Sequence, residues 1–365
     1  MKGDGRLVTK AGIGSFFPYP DAGSLDVAGA SGSSESWPPR AWSLFNSGRA
    51  ALQYVVSAHR LSHHEGVLWI PSFYCWDVTR YVQRSSPVKI YPCRPTEQSL
   101  PTDIHPDDLV LIASYFGAEP PAHPFNPRQV VLDTTHDPLA TWIDTSRVGW
   151  VIGSLRKTLP LPEGGYAYSM RDASGLSGDL PDSDESRREA LRGADAMKMK
   201  AKWIQEDQSD DKQEWYRALT QHEVAFEQLK PASLQPENQR LLRSLPVASW
   251  REARLRNLAL LRKCLGPHPW EIALPATYGL VLVLASRVSA DSVRRQLLSR
   301  GVYPARLWPQ PKGASGPDAD LADRILQIHT DYRYTESQMA EVAHVLQTAL
   351  ADAGFIRATR GDTFT

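Results

Sequence analysis

The residues with the most chemical promise lie in the run Gly153-Ser154-Leu155-Arg156-Lys157, which follows the apolar stretch Val148 to Ile152 and precedes the pair Gly164-Gly165. A lysine at the end of a buried strand is unusual, because burial disfavours the ammonium and lowers its pKa. That cost becomes useful where the amine must act as a nucleophile and form an imine with an aldehyde. Taken alone, Lys157 could equally open a surface loop. Upstream, Val130-Val131-Leu132-Asp133-Thr134-Thr135-His136 puts a carboxylate directly after a second apolar run, with a histidine three residues on. Sheet ends are where α/β proteins gather ligand groups. An acid there can hold a proton on a heteroaromatic ring, although an Asp after a strand can also simply cap a helix. His136 could equally be a packed or solvent-facing histidine.

Two further segments complete the set. In Phe45-Asn46-Ser47-Gly48-Arg49-Ala50-Ala51-Leu52, a turn of small residues leads into a helix with Leu52 and Val55 or Val56 on its inner face. The free N–H groups at such a helix start make a phosphate cradle, to which the Ser154 hydroxyl could add; serine and glycine there are also ordinary capping chemistry. The loop Ile70-Pro71-Ser72-Phe73-Tyr74-Cys75-Trp76-Asp77 is dense in aromatic rings. One of Phe73, Tyr74 and Trp76 could stack on a flat cofactor ring, and spacing does not choose among them. Cys75 reads as a structural thiol.

These residues need elements to hold them. Apolar, β-rich runs recur at Val67–Ile70, Val88–Tyr91, Leu109–Ser114, Val130–Leu132, Trp150–Ile152 and Gly165–Tyr168. Several are nearly all apolar, the pattern of strands covered on both faces in a mostly parallel sheet. The acidic stretch from Asp172 to Glu185 reads as an exposed loop, and Ser186 to about Lys230 as helical, in two pieces. An amphipathic helix at Ser249–Cys264, a strand at Gly279–Leu284, a helix near Ala290–Arg300 and a last helix after Thr335 follow. Thr335 with Gln338 forms a capping-box pattern, and Met339, Val342, Leu346 and Leu350 then share one helical face. The organisation expected is an N-terminal arm over 1–40, with Asp21–Glu35 rich in Gly, Ser and Ala and regular structure beginning near Trp42. A large α/β domain over 41–240, a smaller α+β domain over 241–355 and a tail over 356–365 complete it.

Composition removes alternatives. The 365 residues carry 41 basic and 41 acidic side chains, so no charge excess points to nucleic acid or an anionic membrane. Three dispersed cysteines, Cys75, Cys93 and Cys264, fit neither a disulfide framework nor a zinc cluster, and a reducing cytoplasm is the compartment expected. The N-terminus, beginning Met1-Lys2-Gly3-Asp4-Gly5-Arg6, lacks the continuous apolar stretch expected of a signal peptide, and no segment approaches the length of a membrane span.

The ordered set of motifs resembles the DegT/DnrJ-type aminotransferases, a family of pyridoxal 5'-phosphate (PLP) enzymes. It comprises Ser47-Gly48-Arg49-Ala50-Ala51-Leu52, Pro71-Ser72-Phe73-Tyr74-Cys75, Tyr115-Phe116-Gly117, Asp133-Thr134-Thr135-His136, Ser154-Leu155-Arg156-Lys157 and Gly164-Gly165. Gly301-Val302-Tyr303-Pro304, Trp308-Pro309 and Asp331-Tyr332-Arg333-Tyr334 extend it to nearly the whole chain. The resemblance implies fold type I, the aspartate-aminotransferase-like α/β fold, and PLP as cofactor. It implies Lys157 as the Schiff-base lysine and acid/base, Asp133 as partner of the pyridine nitrogen, and His136 near the ring's phenolate oxygen. Ser47, Gly48, Arg49 and Ser154 would lie on the phosphate, with Tyr74 or Trp76 against the ring.

The same resemblance implies a homodimer with its active site at the subunit interface, for which the region Trp203–Tyr216 is a candidate to cross into the neighbouring site. Glutamate is the donor it suggests, and a keto or aldehyde acceptor such as a nucleotide-linked keto sugar or a secondary-metabolite intermediate. Arg306 and Arg333 are candidates to hold an anionic substrate group, since a guanidinium matches carboxylate and phosphate. The chain departs from the sugar enzymes in Tyr74-Cys75-Trp76 and in the Ser-Leu-Arg-Lys form of the lysine motif. A PLP-dependent decarboxylase or aldolase, or a PLP-binding regulator, remains the alternative; retention of Lys157 argues against the sugar dehydratases, in which that lysine is replaced.

Overall fold

The computed structural model describes residues 11–21, 37–38, 42–170, 180–206 and 212–354. The chain divides into two compact units, Phe16–Ser249 and the stretch from Trp250 onward together with the one ending at Ser15. The first strand, β1 (Ile13–Gly14), belongs to the second unit and is described with it.

The first unit is built on β2 (Ser43–Phe45), α1 (Gly48–Arg60), β3 (Leu68–Pro71), α2 (Trp76–Gln83), β4 (Val88–Tyr91), β5 (Leu109–Ala113), β6 (Val130–Asp133), β7 (Trp150–Ser154) and β8 (Gly165–Ser169). The strands form one seven-stranded sheet in the order β2-β8-β7-β6-β5-β3-β4. Pairing is parallel from β4 through β3, β5 and β6 to β7, whereas β8 runs antiparallel to both β7 and β2. All six expected strands are present, and β5 and β6 are buried along their whole length, as strands of a covered parallel sheet must be. Helix α1 buries Ala50, Ala51, Leu52, Val55 and Val56 and packs on β7 and β8. The fold class expected from the sequence is the one observed, an α/β unit with a mostly parallel sheet.

Beyond the sheet, α3 (Asp184–Gln205) and α4 (Lys212–Phe226) pack against each other, and α5 (Pro236–Ser244) follows. The expected Asp172–Glu185 loop lies outside the described residues as far as 179, and Asp184 and Glu185 already belong to α3, capped by Ser183. Ala196, Met197, Trp203, Trp215 and Leu219 form the core between α3 and α4, and Phe16, Phe17 and Tyr19 pack onto it. Lys200 is buried there, with its ammonium on the Phe16 carbonyl and 4.8 Å over the Trp215 ring, a cation–π contact that offsets desolvation. Regular structure therefore begins well before Trp42. The remainder of the expected arm, 1–10, 22–36 and 39–40, lies outside the described residues.

In the second unit, β1 pairs in parallel with β10 (Val302–Tyr303), and β9 (Gly279–Val283) pairs antiparallel with β11 (Ile325–His329). The helices are α6 (Val247–Leu265), α7 (Arg287–Ser299), α8 (Pro317–Arg324) and α9 (Glu336–Asp352). Thr335 and Gln338 form the reciprocal capping box, and Met339, Val342, Leu346 and Leu350 are fully buried in the core of this unit. Each such side chain contributes about 1.5–3 kcal/mol by leaving water. No described helix is long and apolar enough to cross a membrane.

Candidate active site

Because β3, β5, β6 and β7 are parallel, their C-terminal ends open on one edge of the sheet, and the motif residues sit in the segments that follow those ends. Hydrogen bonds link them there. Asp133 ends β6, and its carboxylate accepts from the Tyr74 hydroxyl and, at 2.8 Å, from the Thr135 amide. Burial raises the Asp133 carboxyl above its ordinary range, with the bonds from Thr135 and Tyr74 pulling the other way. Both donors are neutral, so a cationic N–H on the same carboxylate would bring it back down. Burial and the Asp133 charge push the Tyr74 phenol well up, so it stays protonated and donates.

Thr135 also accepts, through its Oγ1, a 3.0 Å bond from the Ser154 amide, which ties the end of β6 to the end of β7. His136 is buried and accepts a 3.1 Å bond at Nδ1 from the Phe116 amide, so the neutral ring carries its proton on Nε2. Phe116 reaches that position with φ +54°, ψ +26°, a left-handed conformation uncommon for a bulky residue, and its ring lies parallel to that of His136.

Helix α1 starts against the same edge. Ser47 is its N-cap, with Oγ accepting from the Ala50 amide at 3.2 Å, so the first N–H groups of the helix point past its end. The approach is close enough to demand glycine twice. A Cβ on Gly48 would lie 3.0 Å from the Cβ and amide nitrogen of Ser154, and one on Gly165 would lie 2.2 Å from the Ser47 carbonyl. The Gly164 amide closes the arrangement with a 2.8 Å bond to the Asn46 carbonyl. The guanidinium of Arg49, in the first turn, has a buried Nη1 with no hydrogen-bond partner.

Lys157 closes a single 3₁₀ turn, Leu155–Lys157, that follows β7 directly. Its pKa falls to about 8: protein packed around the ammonium desolvates it, and the Arg156 and Arg49 charges act in the same direction, against Cys75 and Asp77. The side chain is nevertheless exposed to solvent, so packing removes only part of its hydration; the two arginines push the same way whatever the extent of desolvation. The Cys75 thiol, N-cap of α2, is pushed up by burial and lowered by Lys157.

Among the aromatic candidates, Phe73 is fully buried, 6.4 Å from the Tyr115 ring at a tilted angle, and Tyr74 is buried with its hydroxyl on Asp133, whereas Trp76 keeps partly exposed surface. Trp203 and Trp215 are buried against each other, with ring centroids 5.5 Å apart, and Tyr216 is exposed. Arg306 and Arg333 belong to the second unit, and each meets a carboxylate of that unit. Arg306 is bonded to Asp291, and the Arg333 fork is filled by Asp331, with Nε–Oδ1 2.7 Å and Nη2–Oδ2 2.8 Å.

No family model and no curated protein matches the chain. Solved structures do. The sugar aminotransferase CalS13 from Micromonospora echinospora is 15% identical, with 93% of this chain and 99% of that one covered at a TM-score of 0.54. Spr1654 from Streptococcus pneumoniae, described as a sugar aminotransferase and solved in its PLP form, is 10% identical over 93% and 99%, with a TM-score of 0.56. DesI, solved in the presence of its TDP-sugar product, is 15% identical over 93% and 88%, with a TM-score of 0.53. The chain has the fold of these proteins. At such identities the likeness is one of fold, and the chemistry has to be argued from the side chains.

Three residues of this edge were not assigned roles from sequence: Thr135, which links two strand ends; Phe116, which fixes the His136 tautomer; and Arg156, discussed below. Thr135 and Phe116 stand inside the motifs quoted above, and their roles depend on backbone amides from neighbouring strands, which carry no mark in a sequence.

Proposed function

We propose that the chain is a PLP-dependent aminotransferase, transferring an amino group from an amino acid, with glutamate the first candidate, to a keto or aldehyde acceptor. The observation that carries this reading is a lysine with a pKa of about 8 on the same strand-end edge as a buried aspartate with only neutral donors. The residues fit the cofactor. An orphaned guanidinium nitrogen on Arg49, beside the free N–H groups of α1, suits a phosphate. Ser47, Gly48 and Ser154 line the same approach, Asp133 suits a pyridinium N–H, and Trp76 is the aromatic residue with surface left for a ring.

When bound, PLP supplies an aldehyde and an electron-withdrawing ring. Lys157 would hold it covalently, since a pKa of about 8 leaves about a tenth of its amine unprotonated at pH 7, far more than in an ordinary lysine. The Lys157 Nζ would then be the base able to take up and pass on the proton released at the donor's α-carbon. Asp133 would keep a pyridine nitrogen protonated, and Tyr74 and Thr135 hold Asp133 in place. His136, its Nδ1 fixed by the Phe116 amide, presents Nε2–H as a donor.

The acceptor we favour is a nucleotide-linked keto sugar, on the strength of the DegT-type motifs and of a fold shared with DesI, solved with a TDP-sugar product. A cytoplasmic homodimer with the active site at its interface is supported by the motif resemblance. Arg306 and Arg333, which hold carboxylates of their own unit, are not needed for this reading.

The test is the visible spectrum of the purified protein with PLP, beside Lys157→Ala, before and after glutamate. A band that needs Lys157 and bleaches with glutamate upholds the reading. A band indifferent to every amino donor moves it to another PLP reaction or a binding role, and no band at all rejects it.

A further inference from the structure

Arg156 is the unusual member of the lysine motif, and the structure holds it from three sides. Its Nη2 is ion-paired with Glu223 of α4, its guanidinium lies 4.8 Å over the Phe226 ring of the same helix, and its Nε is buried without a hydrogen-bond partner. The residue before Glu223 grips the other end of the same loop. His222 Nε2 lies 2.7 Å from the Pro162 carbonyl, so two consecutive side chains of α4 brace the segment 156–162 that contains Lys157.

The charges around this guanidinium can be enumerated. A carbonyl only accepts, so His222 Nε2 carries a proton, and the 2.9 Å contact of His222 Nδ1 with Glu189 needs one more; the histidine–glutamate pair therefore has no net charge. Glu163 faces Arg156 as well, but burial pushes its carboxyl up to about 7 despite bonds from Asn238 and Gln235, so near neutrality it is only partly ionised. Glu223 is then the one full anion on Arg156 among these groups, and Arg49 of α1 adds a second cation from the other side. Lys157 in turn is faced by Arg156 on its own turn, by Arg49 on α1 and by Cys75 and Asp77 at the start of α2.

We propose that Arg156 is a positioning residue for Lys157: a cation clamped by Glu223 and Phe226 that repels a proton from the neighbouring amine and so enlarges its uncharged, nucleophilic fraction. This rests on Lys157 being the reactive amine. Desolvation is the largest influence on Lys157, and Arg156 is the largest among the charges, ahead of Cys75, Arg49 and Asp77. An arginine suits the task because it cannot escape the repulsion by losing its own proton, whereas a second lysine could share it. The clamp prevents the other escape, rotation of the guanidinium into water.

The experiment needs no cofactor. Competitive labelling of the purified protein with acetic anhydride across neutral and alkaline pH, read by mass spectrometry on the Lys157 peptide, gives the titration of that amine directly. The wild type should turn over at about 8. Arg156→Met should lower Lys157 labelling at neutral pH about tenfold, Arg156→Lys should retain most of it, and Glu223→Gln should raise it. An Arg156→Met protein with native circular dichroism and an unmoved Lys157 curve overturns the proposal. If that variant does not fold, Glu223→Gln decides, and labelling that stays level or falls rejects the idea. A curve that moves in a protein that takes up no PLP upholds this inference and rejects the aminotransferase reading. PLP uptake through Lys157 with an unmoved curve does the reverse.

Discussion

Two arginines separate the regions of this molecule by what their guanidinium groups touch. In the second unit, Arg333 is half-buried with both arms of its fork on Asp331, and the surrounding backbone is equally well tied. Asn257 donates to the carbonyls of Asp331 and Tyr334, and the Gly14 amide donates to the Tyr334 hydroxyl at 2.7 Å. Burial alone would raise the Asp331 carboxyl, yet Arg333 holds it below the ordinary range. At the strand-end edge of the first unit, Arg49 has a buried nitrogen with no partner, Arg156 another, and Lys157 titrates far below an ordinary lysine. A filled fork belongs to the architecture. The orphaned Nη1 of Arg49, kept at a cost of about 1–3 kcal/mol beside the first N–H groups of α1, leaves that guanidinium able to take a further anion.

The comparison can be broken in four ways. The largest effect is expected from Lys157→Ala, which should remove the PLP absorption band and cut transamination by about 10⁴-fold while leaving urea stability nearly intact; retained turnover would make the edge architectural after all. Asp331→Ala should do the opposite, costing about 1–3 kcal/mol in urea unfolding because Arg333 loses the carboxylate on both arms of its fork, with the Lys157 titration unmoved. Arg49→Met should weaken PLP binding by about 10- to 100-fold, measured by titration of the absorption band, with little change in melting temperature. A drop in stability without loss of binding would place Arg49 with Arg333 instead.

The smallest effect concerns pH. The folded-state pKa of Lys157 lies below the unfolded value, so between about 8 and the ordinary lysine range the unfolded chain holds more protons and stability rises with pH. Lys157→Met should therefore melt slightly higher than wild type at neutral pH, and the gap should close as pH rises through that window. For Asp331, depressed in the fold, the sign is reversed: its contribution is present above the ordinary aspartate value and is lost as pH falls below it. The acid limb of the stability curve should flatten in Asp331→Ala.

Much of the scaffold was legible because its signals are local. Runs such as Leu109–Ala113 and Val130–Asp133 are apolar at every position since both faces are covered, and Thr335 with Gln338 announces a helix start in four residues. The elements that escaped are short or depend on distant partners. Ser43–Phe45 is a three-residue edge strand, Ile13–Gly14 exists only by pairing with Val302–Tyr303, and Ile325–His329 carries a buried Gln327 that breaks the apolar run. Pro236–Ser244 and Pro317–Arg324 are short helices whose opening prolines read equally well as turns.

The candidate site divides in the same way. That Lys157, Asp133, Ser154 and the Ser47-Gly48 turn lie at the ends of secondary elements was fixed by their neighbours in the chain, because a run of apolar residues sets where a strand stops and a small-residue turn sets where a helix begins. That the Tyr74 hydroxyl bonds to a carboxylate 59 positions away could not be read from spacing. Arg156 meets Glu223 across 67 positions, and the Lys157 pKa is the balance of burial, two arginines that lower it and two groups at the start of α2 that raise it. Local sequence determines conformation because backbone preferences and periodic burial act over a few residues. Charge state is a tertiary property, because Coulomb forces and desolvation depend on distance through space and not along the chain.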